Sequence, residues 1–331
     1  MKVAICGVGA TGTRLARQLV SSPAVEQVEL RDERHDHLAA VVASLGPRAR
    51  IADVPLDAPT DADVVVLAAD AGLHLGAARR FLGAGVAVVS VGDDLGEAQG
   101  LLELDAEARE RGVPVVVGAG FGPGLTCVLA THAAARFDEV HEIHVAKVGT
   151  GGPACARQHH RALARSATDW RGSWVRRPGG SGRELCWFPD PIGGQDCYRA
   201  ELADPALLVP AFPGVQRVTA RVGATRRDRL TARLPMLWPT HPEGGPGAVR
   251  VEVRGRRGGA SDVVVLGAMD RPAVAAGAVA ALAVLWIGDG RIGAGAGGLA
   301  GRVDPVDFLT ALRSRGVRAA AFQGSAVAEP A

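Results

Sequence analysis

Short, nearly unbroken apolar runs alternate with amphipathic stretches over the first third of the chain. Residues 3–6, 25–30, 62–67, 86–91 and 113–117 read as strands, with a shorter one at 50–52, and the continuous run at 62–67 reads as a strand buried on both faces. Strands of that kind belong to a parallel sheet covered by helices. Helical spacing begins near Thr11 and recurs at 39–45, 73–83 and 100–111. This strand–helix alternation up to residue 124 predicts a doubly wound parallel sheet, the Rossmann architecture. After a helix at 125–137 the period changes. Residues 139–148 alternate polar and apolar, as in a sheet with one exposed face.

The pattern beyond 148 predicts a helix at 155–168, a Gly/Arg/Trp loop at 171–183, a strand at 185–188 and a strand-and-turn segment to Tyr198. Further strands are expected at 216–224, 248–254 and 263–266. Asp270-Arg271-Pro272 opens a long helix to Trp286 that is apolar on most sides, so it should lie buried between domains or subunits. A last helix spans 308–315, and the tail from Gly324 (324–331) is expected to be disordered. The fold class is α/β: a Rossmann domain over 1–124, completed by C-terminal helices in 268–322, and a second α/β (α+β) substrate and dimerisation domain over 125–267.

The first strand runs straight into Gly7-Val8-Gly9-Ala10-Thr11-Gly12 and then a helix with Leu15, Leu19 and Val20 facing inward. Each glycine has its own task. Gly7 turns the chain off the strand, Gly9 lets a pyrophosphate approach the backbone, and Gly12 lets the helix pack on the strand. The helix N-terminus offers unpaired N–H groups to the phosphates. Asp32 lies 20 residues after Gly12, at the end of the second strand, where a carboxylate receives the adenosine ribose hydroxyls. That favours NAD over NADP. Arg31 and Arg34 pull the other way, because a guanidinium there can bind a 2′-phosphate. Ala68 and Ala69 end another strand, where small residues should line the cofactor.

Composition narrows the class. Net charge is +2, and basic residues show no tail and no interleaving with aromatics, so nucleic acid is not an expected partner. The longest apolar run, 273–287, is short of a bilayer span. No signal peptide is expected before the first strand. Five scattered cysteines suggest free thiols in a reducing, cytoplasmic setting. The only lysines are Lys2 and Lys147 among 37 basic residues.

Residues 113–124, VPVVVGAGFGPG, end a strand in a glycine-rich turn where a nicotinamide would lie, with Gly120 and Phe121 at its centre. Together with GVGATG at 7–12, FPDPIGG at 188–194 and AAGAVAALAVLWIGDGRI…VDPVDFL…RGV near the C-terminus, this stretch resembles the saccharopine dehydrogenase / lysine 6-dehydrogenase / carboxynorspermidine dehydrogenase superfamily. The similarity is spread over nearly the whole length. It implies an NAD(P) domain, a middle domain that shapes the substrate site and dimerises, and hydride transfer at a carbon bonded to an amine nitrogen. Gly92-Asp93-Asp94 departs from the aromatic-acid-hydroxyl ending usual there.

Amine or imine chemistry needs a proton handler, a grip on the substrate and exclusion of water. Lys147, ending a strand at the domain junction, is the first candidate acid/base, with burial expected to depress its pKa. Asp93 and Asp94 stand at a Rossmann strand end: one could bind a substrate ammonium, the other cap the following helix. Arg157, Arg161 and Arg165 form one stripe on the 155–168 helix, suited to carboxylates, with His159 and His160 on adjoining faces. Arg171, Arg176, Arg177 and Arg183 would extend that basic region. Catalytic roles therefore fall on Lys147, Asp93 and His159, and substrate contacts on Asp94, Arg157 and Arg161. Cys155, His159, Cys186 and Cys197 match no tight zinc spacing, so no metal is expected. Tyr198 reads as a packing or dimer residue. The sequence reading is thus an NAD(P)-dependent oxidoreductase acting on a C–N bond of an amino acid-like substrate, as a homodimer. A dinucleotide-binding sensor without turnover, or a reductase of C=C or C=O bonds, are the alternatives.

Overall fold

The computed structural model describes residues 1–236 and 240–322, so the tail at 324–331 lies outside the described residues. The first sheet holds strands β1 (Lys2–Cys6), β2 (Gln27–Arg31), β3 (Ala49–Ile51), β4 (Val64–Leu67), β5 (Ala87–Ser90) and β6 (Pro114–Val116). Their helices are α1 (Ala10–Val20), α2 (His35–Leu45), α3 (His74–Gly83), α4 (Leu95–Leu102) and α5 (Asp105–Glu110). The expected single helix at 100–111 is two, because residues 103 and 104 turn the chain between α4 and α5. All strands pair parallel, in the order β6-β5-β4-β1-β2-β3. The order reverses between β1 and β4, which opens the crevice where doubly wound sheets bind ligands.

Next come α6 (Leu125–Ala134), β7 (Glu139–Val148), α7 (Pro153–Ala164), β8 (Ala167–Arg171), β9 (Trp174–Arg177), β10 (Glu184–Trp187) and β11 (Gly194–Arg199). They are followed by α8 (Asp204–Leu208), β12 (Arg217–Gly223), α9 (Arg226–Thr231), β13 (Gly247–Arg257) and β14 (Ala260–Asp270). The expected helix at 155–168 starts earlier and stops at Ala164, where Arg165 turns to extended backbone and leads into β8. The expected loop at 171–183 contains β9, which forms a hairpin with β8. These strands build a second, mixed sheet in which β7 and β12 are parallel and β13 and β14 antiparallel to their neighbours. Ile143, Val145, Val218, Ala220, Val249, Val251 and Val253 are buried, and α6 and α8 pack on the sheet. The intervening positions carry an ion-paired ladder of Glu142, His144, Arg217, Arg250, Glu252 and Arg254.

The chain ends with α10 (Pro272–Gly288), β15 (Gly295–Gly297), α11 (Pro305–Ser314) and β16 (Ala319–Phe322). Helix α10 is buried along nearly its whole length, as its composition demands, and packs on α1. At the crossing, a Cβ on Gly277 would collide with Leu15 and Arg14 of α1. Strand β15 extends the parallel sheet beside β6, whereas β16 returns to the second sheet beside β14. The C-terminal segment therefore ties the two sheets together. None of the helices among the described residues is long and apolar enough to cross a membrane.

Candidate active site

A cavity of ≈ 680 Å³ lies at the C-terminal ends of β1, β4, β5 and β6, closed from the other side by α7 and the end of β7. At one end is the glycine loop. Gly7 has φ +100°, and a Cβ there would collide with the backbone between Ala68 and Ala69. A Cβ on Gly12 would overlap the Gly7 carbonyl oxygen, so strand and helix touch through these two glycines. Gly9 differs: a Cβ there would meet nothing within 4 Å. No side chain caps the N-terminus of α1, and its first turn has no acidic residue. The loop is thus pre-shaped, with free N–H groups and an open approach at Gly9, which is what a pyrophosphate requires. The donor set and the cavity size fit a dinucleotide.

Gly9, Ala10, Thr11, Asp32, Ala68, Ala69, Gly120 and Phe121 all line the cavity. Val8 is buried behind the loop, and its N–H donates to Asp32 Oδ2 at 2.6 Å. Burial opposes the Asp32 charge, but hydrogen bonds from Arg34 and Val8 outweigh it and hold the carboxyl below its ordinary value. Arg31 is removed from the contest. It is 1% exposed, paired with Glu29 and bonded to carbonyls of Ala58 and Pro59.

At the other end, four titratable groups meet. Lys147 Nζ donates to Asp93 Oδ2 at 2.9 Å and to the Gly122 carbonyl at 2.6 Å. His159 Nε2 lies 2.8 Å from the same Asp93 oxygen and 3.8 Å from Cys155 Sγ. The expectation that burial depresses Lys147 is wrong in direction. Burial does lower it, but the nearby Asp93 and Asp204 carboxylates raise it further, so Lys147 is held as a cation. Asp93 is driven well below the usual carboxylate range: burial opposes this, and Lys147 and His159 overcome it. His159 is pushed up to about 9, since Cys155 and Asp93 outweigh burial and Lys147. Cys155 moves down because His159 beside it outweighs burial. His159 Nδ1 is buried without a hydrogen-bond partner among the described residues. Behind Lys147, Asp204 is fully buried, takes a 2.7 Å hydrogen bond from Thr126 Oγ1, and is raised by burial.

Asp94 has another task. Its side chain accepts the Glu97 N–H as the N-cap of α4, and it is bonded to Gln158 Nε2 at 3.0 Å. It does not line the cavity, so the structure turns it away from the expected substrate contact. The arginine stripe is broken too. Arg157 lines the cavity, half exposed, and reaches Asp70 at 3.4 Å, while Arg165 lies past the helix end, pairs with Glu201 and Asp94 and does not line the cavity. Arg161 lines the cavity, donates to Gln158 Oε1 at 3.2 Å and forms no ion pair with a described residue. Arg171, Arg176, Arg177 and Arg183 do not line the cavity, and Arg183 pairs with Asp196. His160 is turned to the carbonyls of Thr231 and Leu234. Cys186 and Cys197 sit in a separate small apolar cluster with Phe188. Among the described residues no group of His, Cys, Asp or Glu is placed to hold a metal. Tyr198 is buried beneath the Arg229 guanidinium.

Sequence reasoning missed Cys155 as a partner of His159. The signal was their spacing: positions i and i+4 share one helix face.

No family model matches the chain. Among solved structures it is similar to apo histidine-tagged saccharopine dehydrogenase (L-Glu forming) from Saccharomyces cerevisiae, with a TM-score of 0.68 and 14% identity over 97% of this chain and 100% of that one. It is more loosely similar to GenD2 from gentamicin A biosynthesis in complex with NAD (TM-score 0.49, 18% identity, 98% of this chain and 97% of that one). The WlbA dehydrogenase from Bordetella pertussis in complex with NADH and UDP-GlcNAcA follows at 0.40 and 15%, covering 82% and 79%. The likeness to the yeast protein is one of fold. It spans both sheets, in agreement with the two-domain α/β architecture read from the sequence.

Proposed function

We propose that the chain is an NAD(P)-dependent oxidoreductase that transfers a hydride at the C–N bond of an amino acid-like, carboxylate-bearing substrate. The observation that carries this reading is the buried Lys147–Asp93–His159–Cys155 cluster at the far end of a cavity that begins at a phosphate-shaped glycine loop. Bound there, a nicotinamide supplies the hydride donor or acceptor. The chain's own groups do the rest. Asp93, held ionised, orients the His159 imidazole and attracts a cationic substrate nitrogen. His159, raised to about 9, is protonated at neutral pH and gives its proton to the neutral amine left when hydride adds to the cationic C=N carbon; in the reverse direction the neutral imidazole takes a proton from the substrate ammonium before hydride leaves. Lys147 does not move a proton. It fixes the Asp93 charge and so holds the geometry. Arg161, lacking an acidic partner among the described residues, receives a substrate carboxylate.

Homodimeric assembly belongs to the same proposal, and light scattering on the purified chain tests it. The chemistry is tested by incubating the protein with 4-deuterated reduced cofactor and pairs of amino acids and oxo acids. Deuterium on the carbon bearing nitrogen supports the reading. Deuterium on carbon bearing oxygen, or tight cofactor binding with no transfer to any acceptor, refutes it.

A further inference from the structure

The adenosine end of the cavity is organised around Asp32, just beyond β2. Its carboxylate receives the Val8 N–H at 2.6 Å on Oδ2. Arg34 adds three more bonds: its backbone N–H and Nε to Oδ1, both at 3.0 Å, and Nη2 to Oδ2 at 3.2 Å. A carboxylate offers about four lone-pair sites, and here protein donors occupy that number. A ribose 2′-hydroxyl can be received by Asp32 only if one of these bonds breaks. The Val8 bond is braced, since His37 Nε2 also lies 2.8 Å from the Val8 carbonyl.

Arg34 is differently placed. Its side chain is 60% exposed and lines the cavity, and Nη1 has no hydrogen-bond partner among the described residues. The guanidinium thus turns one edge to Asp32 and keeps donors free on the other. Its charge compensates Asp32, which otherwise repels a second anion at this spot. Arg31 cannot do this, being buried and fully bonded elsewhere. Glu33 and Asp70 also line this end of the cavity; both are exposed and screened by solvent and salt, and Asp70 is paired with Arg157 at 3.4 Å.

We propose that this pocket takes a 2′-phosphate through Arg34, so that the chain binds NADP(H) in preference to NAD(H). This rests on the dinucleotide reading above. Asp32 then acts as the positioning residue that orients the planar guanidinium against the loop, and Arg34 as the phosphate ligand.

The test uses the full chain and no substrate. NADPH and NADH are titrated by nicotinamide fluorescence, and 2′,5′-ADP and 5′-AMP by calorimetry. The phosphorylated member of each pair should bind about ten-fold tighter or better. Arg34→Ala should erase that advantage while leaving NADH unchanged or tighter, because Asp32 is freed for the ribose. Arg34→Lys should restore part of it. NADH binding as tightly as NADPH to the native chain, or Arg34→Ala weakening both equally, overturns the proposal and leaves the dinucleotide reading intact. Failure of all four nucleotides to bind overturns both.

Discussion

Lys147 Nζ and Asp93 Oδ2 stand 2.9 Å apart, although 54 residues separate them in the chain. The pair bridges the two sheets, since Asp93 follows β5 and Lys147 lies near the end of β7. The Lys147 side chain is 4% exposed and that of Asp93 18%. Truncating one member leaves the other charge short of a partner, which for buried pairs costs about 3–5 kcal/mol. Lys147→Met should therefore lower unfolding stability by that order in urea. Asp93→Asn alone should also destabilise, and the double variant should lose less than the two singles combined. Strict additivity would show that the charges are not coupled. Turnover of Lys147→Met within a few-fold of native would remove Lys147 from the catalytic arrangement altogether.

The same cluster fixes a pH signature. His159 is raised from 6.5 to about 9, so its contribution to stability is complete below 6.5 and is lost as pH climbs through about 9. Asp93 is depressed, so its contribution is present above its ordinary value of 3.8 and vanishes as pH falls below it. Stability should hold between these limits and then decline towards pH 9 by on the order of 1 kcal/mol per pH unit. His159→Gln should flatten that decline. Cys155→Ser removes the neighbour that helps raise His159, so the decline should end at lower pH and be smaller in total. Thermal unfolding measured from pH 5 to 9.5 reads both. An unchanged slope in His159→Gln would assign the decline to other groups.

Adjacent acids separate cleanly by role. Asp94 caps α4, and a lost cap costs about 1 kcal/mol. Asp94→Ala should show that loss in thermal unfolding and leave dinucleotide affinity within two-fold. Asp93→Asn should instead move the pH dependence of the site. If Asp94→Ala weakens nucleotide or substrate binding by an order of magnitude, its place outside the cavity is wrong.

The parallel sheet was legible because its central strands β1, β4 and β5 are buried on both faces and are followed within a few residues by a glycine or aspartate. Val64–Leu67 and Ala87–Ser90 leave little else for their residues to do. What stayed hidden lacked a period. Strand β15 is Gly-Ala-Gly and carries no apolar signal at all, and β8 and β9 are short and studded with charge. Helices α8 and α9 span 5 and 6 residues, too short for an amphipathic repeat to emerge. At the site, Lys147, Asp93 and His159 could each be picked as candidates from position alone. Their meeting at one carboxylate oxygen could not, because it depends on how β7, α7 and the end of β5 are brought together. The mistaken direction for Lys147 has the same origin: burial was foreseeable, and the acidic neighbours that reverse its effect were not. Arg165 shows the converse, a regular stripe on paper that ends one residue past the helix.

The glycine loop permits the sharpest separation of folding from binding. A Cβ on Gly12 has to displace the Gly7 carbonyl, and a Cβ on Gly7 strains φ +100° as well as striking the backbone after β4. Gly12→Ala and Gly7→Ala should each destabilise by about 2–4 kcal/mol, within the range of overpacked or strained sites. A Cβ on Gly9 meets open space, so Gly9→Ala should fold with stability within about 0.5 kcal/mol of native. It should nonetheless lose dinucleotide affinity by ten-fold or more, because the methyl group occupies the approach of the pyrophosphate. Calorimetric titration with reduced cofactor, run beside a urea unfolding curve, measures both quantities on one preparation. Native affinity in a well-folded Gly9→Ala protein would mean that the phosphates lie elsewhere. Loss of both binding and stability would mean that Gly9 is packed as tightly as its two neighbours.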